Sequence, residues 1–472
     1  YHIGGIRKRQ GAEDLIAWTD IYILPQFASL TKDPEHSQVM VYEQIEKKYG
    51  ARIERAEVDV YSAAASPVIA KKLNIEPNLP CLVIIRRYFD DQDKLFEVTV
   101  THHPENKYKY SMEFKASSEV QITMKYLSIA DAEGFIARAL EAEKVPAADA
   151  KIIANLMVQS DLAGADGHGI FRLPAYLKRI RAGGVNLQPN IRVEREQGAT
   201  SLINGDNALG HLVMNRAVEL ALEKVRQHSV CWIGSHFGNH SGAASVYVRK
   251  LAEQGYIGIY MAVGNANHMA PWGGIDLLLS TNPIAIAVPA GKEPIVLLDI
   301  ATTVAAYGKV KVAAQKGESI PDDWMIDKQG KPITDPKRSA EGSLLPIGGY
   351  KGYGLAVMIG LLAGALNNAA VGKGTIDFNA HHDLVTNTGQ TIIAVDPGAF
   401  GNKDDFIARV IELVNDLKSS TTLPGVKEIR VPGEGAARTM AERQRLGIPV
   451  SPELLDALNT CAKECGIAAL AL

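Results

Sequence analysis

Cysteine is scarce in this chain: four thiols, Cys81, Cys231, Cys461 and Cys465, in 472 residues. Their spacings are those of neither a zinc knuckle nor a disulfide framework, so a metal-ribbon or stapled secreted scaffold is excluded and reduced thiols are expected. Cys461 and Cys465 are four apart near the C-terminus, a spacing that shares one helix face, and packing accounts for them. Long apolar runs are missing as well. The most apolar stretch, Tyr353 to Leu366, is closed by Asn367-Asn368 and is too short to span a bilayer; it is expected to be a buried helix. Excess charge is also absent: 50 Lys and Arg against 53 Asp and Glu leave a formal net charge of -3, which gives no electrostatic reason for nucleic acid or an acidic membrane as partner. There is no internal repeat, no low-complexity tract and no secretory leader. With reduced thiols, that points to a cytoplasmic protein without a membrane partner. The chain opens at Tyr1 rather than Met, as a trimmed front end would.

What is present is a length of 472 residues, too long for one ordinary core, with 46% hydrophobic and 22% charged residues, the composition of a soluble globular protein of two or three domains. The front part reads α-β-α-β-β-β. Gln38 to Tyr49 has helical spacing closed by Gly50, Arg52 to Tyr61 alternates as a strand, and Ser66-Pro67 caps a short helix ending near Leu73. Cys81 to Phe89 and Leu95 to His102 form a hairpin around Asp90-Asp91-Gln92-Asp93, and a strand follows over Tyr108 to Phe114. This predicts an α+β domain with mostly antiparallel strands over residues 1–115, a linker over 116–125 and a second domain over 126–472. Ser128 caps the first helix beyond the linker, with Asp131 three residues on. Helices are predicted over Asp149 to Leu162, Val213 to Val225 and Ser241 to Glu253. Short apolar runs at Ile257 to Val263, Pro283 to Val288 and Ile295 to Leu298 complete an α/β pattern.

The chemistry centres on Ala165-Asp166-Gly167-His168-Gly169-Ile170-Phe171-Arg172-Leu173-Pro174-Ala175-Tyr176. His168 can give and take protons near neutral pH, and Arg172 can hold a carboxylate with two parallel hydrogen bonds. If the preceding helix runs on past Gly169, the four-residue spacing puts both on one face. Such a pair suits a small acid that gains or loses a proton beside its carboxylate. A helix-end His and a surface Arg is the plain alternative. Tyr176 could line the same face one turn on, or simply pack.

Two resemblances sharpen this reading. The segment from about Asp20 to Phe114 resembles the UTRA effector-binding domain of GntR-type bacterial regulators. The likeness rests on Val41-Tyr42-Glu43, Tyr49-Gly50, Ala70-Lys71-Lys72-Leu73-Asn74-Ile75, Pro80-Cys81-Leu82-Val83, Arg86-Arg87-Tyr88-Phe89-Asp90 and Phe96-Glu97-Val98-Thr99-Val100, taken in order. It implies a chorismate-lyase-like sheet that binds a small metabolite, with Arg87, Glu97 and Tyr108 as candidate effector contacts. Strand-face residues in a hairpin would look the same. The DNA-reading winged helix of such regulators is either cut off before Tyr1 or absent, so DNA is a partner only if one lies upstream.

The segment from about Met124 onward is similar to the type 2 malate/L-lactate dehydrogenase, or L-sulfolactate dehydrogenase-like, family. The His168 stretch corresponds to that family's Asp-Ser-His-Gly-x-x-Arg-x-x-x-Tyr, and Ser235-His236-Phe237-Gly238 to its Asn-His-Phe-Gly. Met269 to Gly274, Ser280-Thr281-Asn282-Pro283, Leu298 to Thr303, Tyr307-Gly308-Lys309-Val310, Pro346 to Gly352 and Arg430 to Glu434 follow in order. The resemblance implies an α/β NAD(P)-binding oxidoreductase fold unlike the Rossmann one, and the sequence agrees in having no G-x-G-x-x-G with an acidic residue about 20 positions on. NAD or NADP is the implied cofactor, a 2-hydroxy, 2-oxo or cyclic 2-imino acid the implied substrate, and a homodimer the implied assembly.

In that light His168 is the expected proton donor or acceptor, Arg172 the carboxylate anchor, and His236 a second acid/base or orienting group. Lys309 joins them as a catalytic candidate, and Tyr176 and Thr281 as substrate contacts. A cofactor would meet His236, Phe237, Gly238 and Asn239 before a helix starting near Gly242, then Asp299, Ile300 and Ala301, then Lys351 and Gly352, and finally Arg430, Pro432, Gly433 and Glu434. Thr281-Asn282-Pro283 is read as ending a strand; a turn held by Asn before Pro is the plain alternative. His236 and His240 could share a helix face as metal ligands, but no third ligand is evident and no metal is expected. Two positions qualify the resemblance. Gly167 stands where the family has Ser, which removes a hydroxyl from the reacting group. Lys309 matches hydroxy-acid members, whereas cyclic-imine reductases tend to carry Asp near there. The rival to an enzyme is a metabolite sensor with a degenerate dehydrogenase module, favoured by Gly167. A regulator whose enzyme part feeds its own effector domain is a third reading.

Overall fold

The computed structural model describes residues 1–8, 15–32, 40–50, 53–90, 93–105, 107 and 125–470. The chain forms two compact units, Tyr1–Ser118 and Glu119–Leu472.

The first unit comprises β1 (His2–Lys8), β2 (Leu15–Ile23), α1 (Val41–Tyr49), β3 (Arg55–Ala64), α2 (Pro67–Leu73), β4 (Pro80–Phe89) and β5 (Leu95–Pro104). All neighbouring strands are antiparallel, in the order β1-β2-β5-β4-β3. Local signals act as expected at α2, where the Ser66 hydroxyl accepts the Ile69 N–H at 3.3 Å and Pro67 takes the first helical position. At the end of α1, Gly50 adopts φ 73°. The element order differs from expectation, because β1 and β2 precede α1. β1 gave little signal: Gly4 and Gly5 interrupt its apolar alternation. Gly4 has a packing reason, since a Cβ there would lie 2.7 Å from the Trp18 ring of β2. The strand expected over Tyr108 to Phe114, the residue Tyr108 and most of the expected linker lie outside the described residues.

The second unit begins with β6 (Lys125–Leu127), α3 (Ile129–Ala142), α4 (Ala147–Leu162), α5 (Leu173–Arg181), β7 (Arg192–Gln197), β8 (Thr200–Ala208), α6 (Gly210–His228), β9 (Val230–Gly238), α7 (Ala244–Glu253) and β10 (Ile257–Ala262). It continues with β11 (Ile284–Val288), β12 (Val296–Ile300), α8 (Tyr307–Lys316), β13 (Met325–Asp327), β14 (Gly342–Leu344), α9 (Tyr350–Ile359), β15 (Thr388–Val395), α10 (Lys403–Ser419), α11 (Glu434–Leu446), β16 (Ile448–Val450) and α12 (Pro452–Cys465). Seven strands form the main sheet, ordered β12-β11-β10-β15-β9-β8-β7. Only the β8–β9 pair is parallel, so this is not the parallel doubly wound sheet of Rossmann proteins. β15 enters between β10 and β9 late in the chain, a crossing that no local pattern announces. Ala217, Ala221 and Val225 of α6, with Tyr247, Val248 and Leu251 of α7, pack on Ile233, Tyr260 and Ile392 of the sheet. A second core joins α3, α4, α5 and α12 through Phe135, Ile153, Met157, Tyr176, Leu177 and Leu458.

The apolar run at Tyr353 to Leu366 is not the buried helix expected. α9 passes into a π-helical turn at Gly360–Gly364 and a 3-10 turn at Ala365–Asn367. Met358, Leu361 and Leu366 are 52%, 49% and 59% exposed. What the run buries is narrow: Ala356, Ile359, Ala363 and the Asn367 amide, which donates to Ala363 O, Gln390 O and the Thr391 hydroxyl. No helix among the described residues is long and apolar enough to cross a membrane.

Candidate active site

α4 stops at Leu162, and the segment beyond it is not one helix. Asp166–His168 and Ile170–Arg172 form two separate 3-10 turns, divided by Gly169 at φ −92°, ψ −143°. His168 and Arg172 therefore do not share an α-helical face; the two turns bring them together instead. The break has a specific cause. Asp161, near the end of α4 and 2% exposed, accepts the Ile170 N–H at 2.8 Å, and its carboxylate lies where a Cβ on residue 169 would be, 1.9 Å from Oδ1. Burial raises the Asp161 carboxyl to about 7, with the Ile170 N–H pulling the other way. From α11, Arg443 donates to Asp161 O at 2.5 Å and pairs with the Asp166 carboxylate.

His168 is half-buried, and its ring stacks on His240 with centroids 5.3 Å apart at 15°. His240 Nδ1 is 2.6 Å from the Tyr176 hydroxyl. Tyr176, fully buried, also meets His211 edge-on at 5.3 Å and Phe378 at 5.9 Å. His168 Nδ1, Arg172 Nε and both ring nitrogens of His211 are buried with no hydrogen-bond partner among the described residues. Arg172 Nη1 donates to Asn379 Oδ1 at 3.2 Å. Burial, reinforced by the Arg172 charge, holds the His168 imidazole down at about 4. Burial, then His168, holds His211 at about 3, and burial, then Arg172, lowers His240 as well. At neutral pH these are uncharged rings packed beside one guanidinium. The arrangement can accept a proton from an alcohol at His168, and can hold an anion at Arg172.

His236 sits elsewhere. It is on β9, with Nε2 2.6 Å from Glu194 Oε2 of β7, while the ring stacked on His168 belongs to His240. The chain repeats a short His-x-Gly pattern, and Asn239-His240-Ser241-Gly242 keeps the Asn and His of Asn-His-Phe-Gly that Ser235-His236-Phe237-Gly238 does not keep together. That was the available signal. His236 and His240 also share no helix face, because β9 ends at Gly238 and α7 starts at Ala244.

Several other expected contacts are spent inside the protein. Tyr176 uses its hydroxyl on His240. Asn239 is 0% exposed, accepts Arg179 Nε at 2.9 Å and donates to Asn207 and Ala208 carbonyls, so its amide braces the fold. Thr281 receives the Thr302 N–H and hydroxyl at its carbonyl, and Thr281-Asn282-Pro283 precedes β11 instead of ending a strand. Asn282 is the turn residue: it accepts the Gly264 N–H at 3.1 Å and donates to Ala356 O at 2.8 Å. Gly352 and Gly433 are glycine because of neighbouring chain: a Cβ would fall 2.1 Å from Ile347 O and 2.9 Å from Leu297 N. Glu434 pairs with Lys418, Arg430 with Glu428, and Pro432 O accepts the Leu297 N–H at 3.0 Å.

Phe237 (φ 48°) takes the Asn387 side-chain oxygen at its N–H and packs on His236, with Gly238 ending β9. Asp299, Ile300 and Ala301 run off the end of β12. Solvent reaches Asp299, yet protein crowds it enough for desolvation to raise its carboxyl, while the hydrogen bond from Ser245 N–H at 2.8 Å pulls the other way. That carboxylate thus takes one of the first N–H groups of α7. Lys309 and Lys351 are both exposed, in the first turns of α8 and α9. In the first unit, Arg87 pairs with Asp59 at 2.6 Å. Glu97 is 2% exposed, and burial raises its carboxyl to about 8. Opposite Glu97 in the sheet is Tyr88, so Glu97 shares a face with Tyr88 and Arg86, and Arg87 points to the other side. These two candidates are not brought together.

His168, His211, His240 and Tyr176 are gathered beside the Arg172 guanidinium on a mostly antiparallel α/β scaffold. Residues 127–459 match the malate/L-lactate dehydrogenase family, and residues 6–109 match the UTRA domain. The chain belongs to the malate/L-lactate dehydrogenase family. It is 38% identical to the L-sulfolactate dehydrogenase of Methanothermobacter thermautotrophicus, over 70% of this chain and 94% of that one. It is 37% identical to the malate dehydrogenase of Pyrococcus abyssi, over 71% and 94%, and 35% identical to the ureidoglycolate dehydrogenase (NAD(+)) of Escherichia coli, over 60% and 81%. The solved sulfolactate dehydrogenase of Methanocaldococcus jannaschii superposes with a TM-score of 0.68 at 36% identity, covering 73% of this chain and 98% of that one.

Proposed function

We infer that the second unit is an NAD(P)-dependent oxidoreductase that transfers a hydride at C2 of a small 2-hydroxy or 2-oxo acid. One observation carries this: His168 Nδ1 and Arg172 Nε are both buried and unclaimed among the described residues, on groups close enough for the Arg172 charge to act on the imidazole. Unclaimed buried polar atoms are costly, and a ligand that pairs with them recovers the cost. Arg172 holds the carboxylate. His168, neutral at pH 7, takes the hydroxyl proton as the alcohol is oxidised, and returns it in reduction. His240, held by Tyr176, fixes the plane of the His168 ring. A bound carboxylate also offsets the Arg172 charge, which makes a protonated His168 easier to reach in the reductive direction.

The nicotinamide, when bound, supplies or takes the hydride. The residues present fit such a cofactor: Asp299 offers a solvent-reached carboxylate for a ribose hydroxyl, Lys351 an exposed ammonium for phosphate, and Gly308 and Gly348 open backbone with nothing within 4 Å of a Cβ. The ureidoglycolate dehydrogenase relative, whose name carries NAD(+), supports a nicotinamide. Lys309, exposed on the first turn of α8, is kept as a catalytic candidate. The UTRA match supports a small-molecule effector at the first unit; a cytoplasmic location and a homodimer complete the reading.

The test is NADH and NADPH oxidation, followed by absorbance, against a panel of 2-oxo acids and cyclic imino acids. Turnover of a 2-oxo acid is expected. A metabolite sensor is the second reading, favoured by Gly167, which places no hydroxyl beside His168. Tight cofactor binding without turnover of any panel member would establish the sensor instead.

A further inference from the structure

Next to Arg172 the second unit holds a cavity of about 340 Å³. Asn379, the acceptor of the Arg172 hydrogen bond, is part of its wall. At roughly 30 Å³ per water in the liquid, the space exceeds what the methyl of a three-carbon acid fills. Its far side is built from α8 and the segment before β11. His268 lies flat on Tyr307, with ring centroids 4.1 Å apart at 9°, and Lys311 stands one turn further along α8, its ammonium 5.5 Å from the same Tyr307 ring. Asp377 faces them. Its Oδ1 is occupied by the Asn379 N–H at 2.8 Å, and among the described residues Oδ2 has no donor.

The charges decide what this space suits. Lys311 contributes one positive charge and Asp377 one negative charge. Burial keeps the His268 imidazole neutral at pH 7, with Asp377 opposing and Lys311 adding to the effect. A second carboxylate or a sulfonate entering here gains from Lys311 but is also repelled by Asp377 in the same lining, so the two act against each other. A neutral group with both an N–H and a C=O has no such conflict. It can accept from Lys311 and donate to Asp377.

We propose that this cavity receives the part of the substrate beyond its reacting carbon, and that this part is an uncharged amide-type group instead of a second acid. The proposal rests on the hydroxy-acid reading of the site and narrows it to a substrate class. Lys311 and Asp377 are specificity residues, and the Arg172–Asn379 bond ties the carboxylate anchor to the cavity wall.

The experiment uses the full chain with NADH or NADPH and measures kcat/KM for pyruvate, oxaloacetate and the 4-carboxamide of oxaloacetate. The amide is expected to exceed oxaloacetate by at least about tenfold, the worth of one favourable pairing against one conflict. Asp377→Asn keeps the shape and removes the repulsion, so the amide-to-oxaloacetate ratio falls. Lys311→Met removes the compensating charge from exposed α8, so the ratio rises. Opposite movements in two variants are not produced by loosened folding. Equal or better use of oxaloacetate by the unaltered protein, or a ratio that neither variant moves, overturns the proposal while leaving the oxidoreductase reading standing. Failure to reduce any of the three compounds overturns both.

Discussion

Gly169→Ala tests the construction of the site with a single methyl group. The added Cβ would fall 1.9 Å from Asp161 Oδ1 and 2.1 Å from Asp161 Cγ. Nonbonded contacts settle beyond 3 Å, so the turn or the carboxylate must retreat by more than about 1 Å. Neither retreats freely: Asp161 holds Ile170 N–H, and its own carbonyl is held by Arg443. Overpacking of this kind costs about 1–3 kcal/mol, and a reacting group misplaced by about 1 Å loses on the order of 10²-fold in rate. The variant should therefore fold with a lowered Tm and lose roughly 10²-fold in kcat. Gly167→Ala, two residues away, is the control, since nothing lies within 4 Å of its Cβ. It should keep both Tm and kcat. Side-by-side melting curves and steady-state rates of the two variants decide the matter. Unchanged turnover in Gly169→Ala, or equal damage in Gly167→Ala, would refute the account of how the His168 turn is held.

His168→Ala should cut turnover by about two to four orders of magnitude with the fold retained by circular dichroism, and near-normal turnover would remove His168 from the mechanism. Arg172→Lys should act mainly on substrate KM, because an ammonium cannot reproduce the two-pronged hold; an unchanged KM would place the carboxylate elsewhere. Gly167→Ser restores the hydroxyl in open space, and kcat should rise without a change in Tm; a fall in kcat would show that the hydroxyl obstructs the site. Stability should fall on acidification. Unfolded imidazoles take protons near 6.5, whereas His168 and His211 resist until about 4 and 3, so their contribution is whole above pH 6.5 and is lost as pH drops towards those values. Each contributes up to about 1.4 kcal/mol per pH unit in that window. Urea unfolding between pH 7 and 5 should show a shallower slope in His211→Phe than in the parent, and identical slopes would count against neutral burial.

Much of this was legible where chemistry is local. Ser66, Ser128 and Gly50 mark element ends because caps act over three or four residues. His168 and Arg172 stood out by residue type and spacing, although two short turns, not one helix face, join them. What was hidden depends on distant partners. Nothing near Arg172 announces Asn379, and nothing near Arg179 announces the carbonyls of His381 and Leu384 that it binds. That His240, not the expected His236, meets His168 turned on where β9 ends, which pairing with β15 sets. Arg87 and Glu97 were separated by the two-residue alternation of paired strands once the register was known. Asp161 and His211 gave no sign at all, since a lone buried acid or imidazole is defined only by what surrounds it.

The recess is stitched across some two hundred residues of chain, from Arg172 and Arg179 to the segment at Asn379–Leu384. During synthesis the imidazole and its guanidinium neighbour leave the ribosome long before their wall exists, and loop closure on that scale is slow. A nascent or prematurely terminated product ending ahead of residue 379 would carry every residue of the opening motif and still lack an enclosure. Activity should consequently switch on late, after β15 has been threaded into its place between β10 and β9, and no shortened piece built around the histidine motif should ever display it.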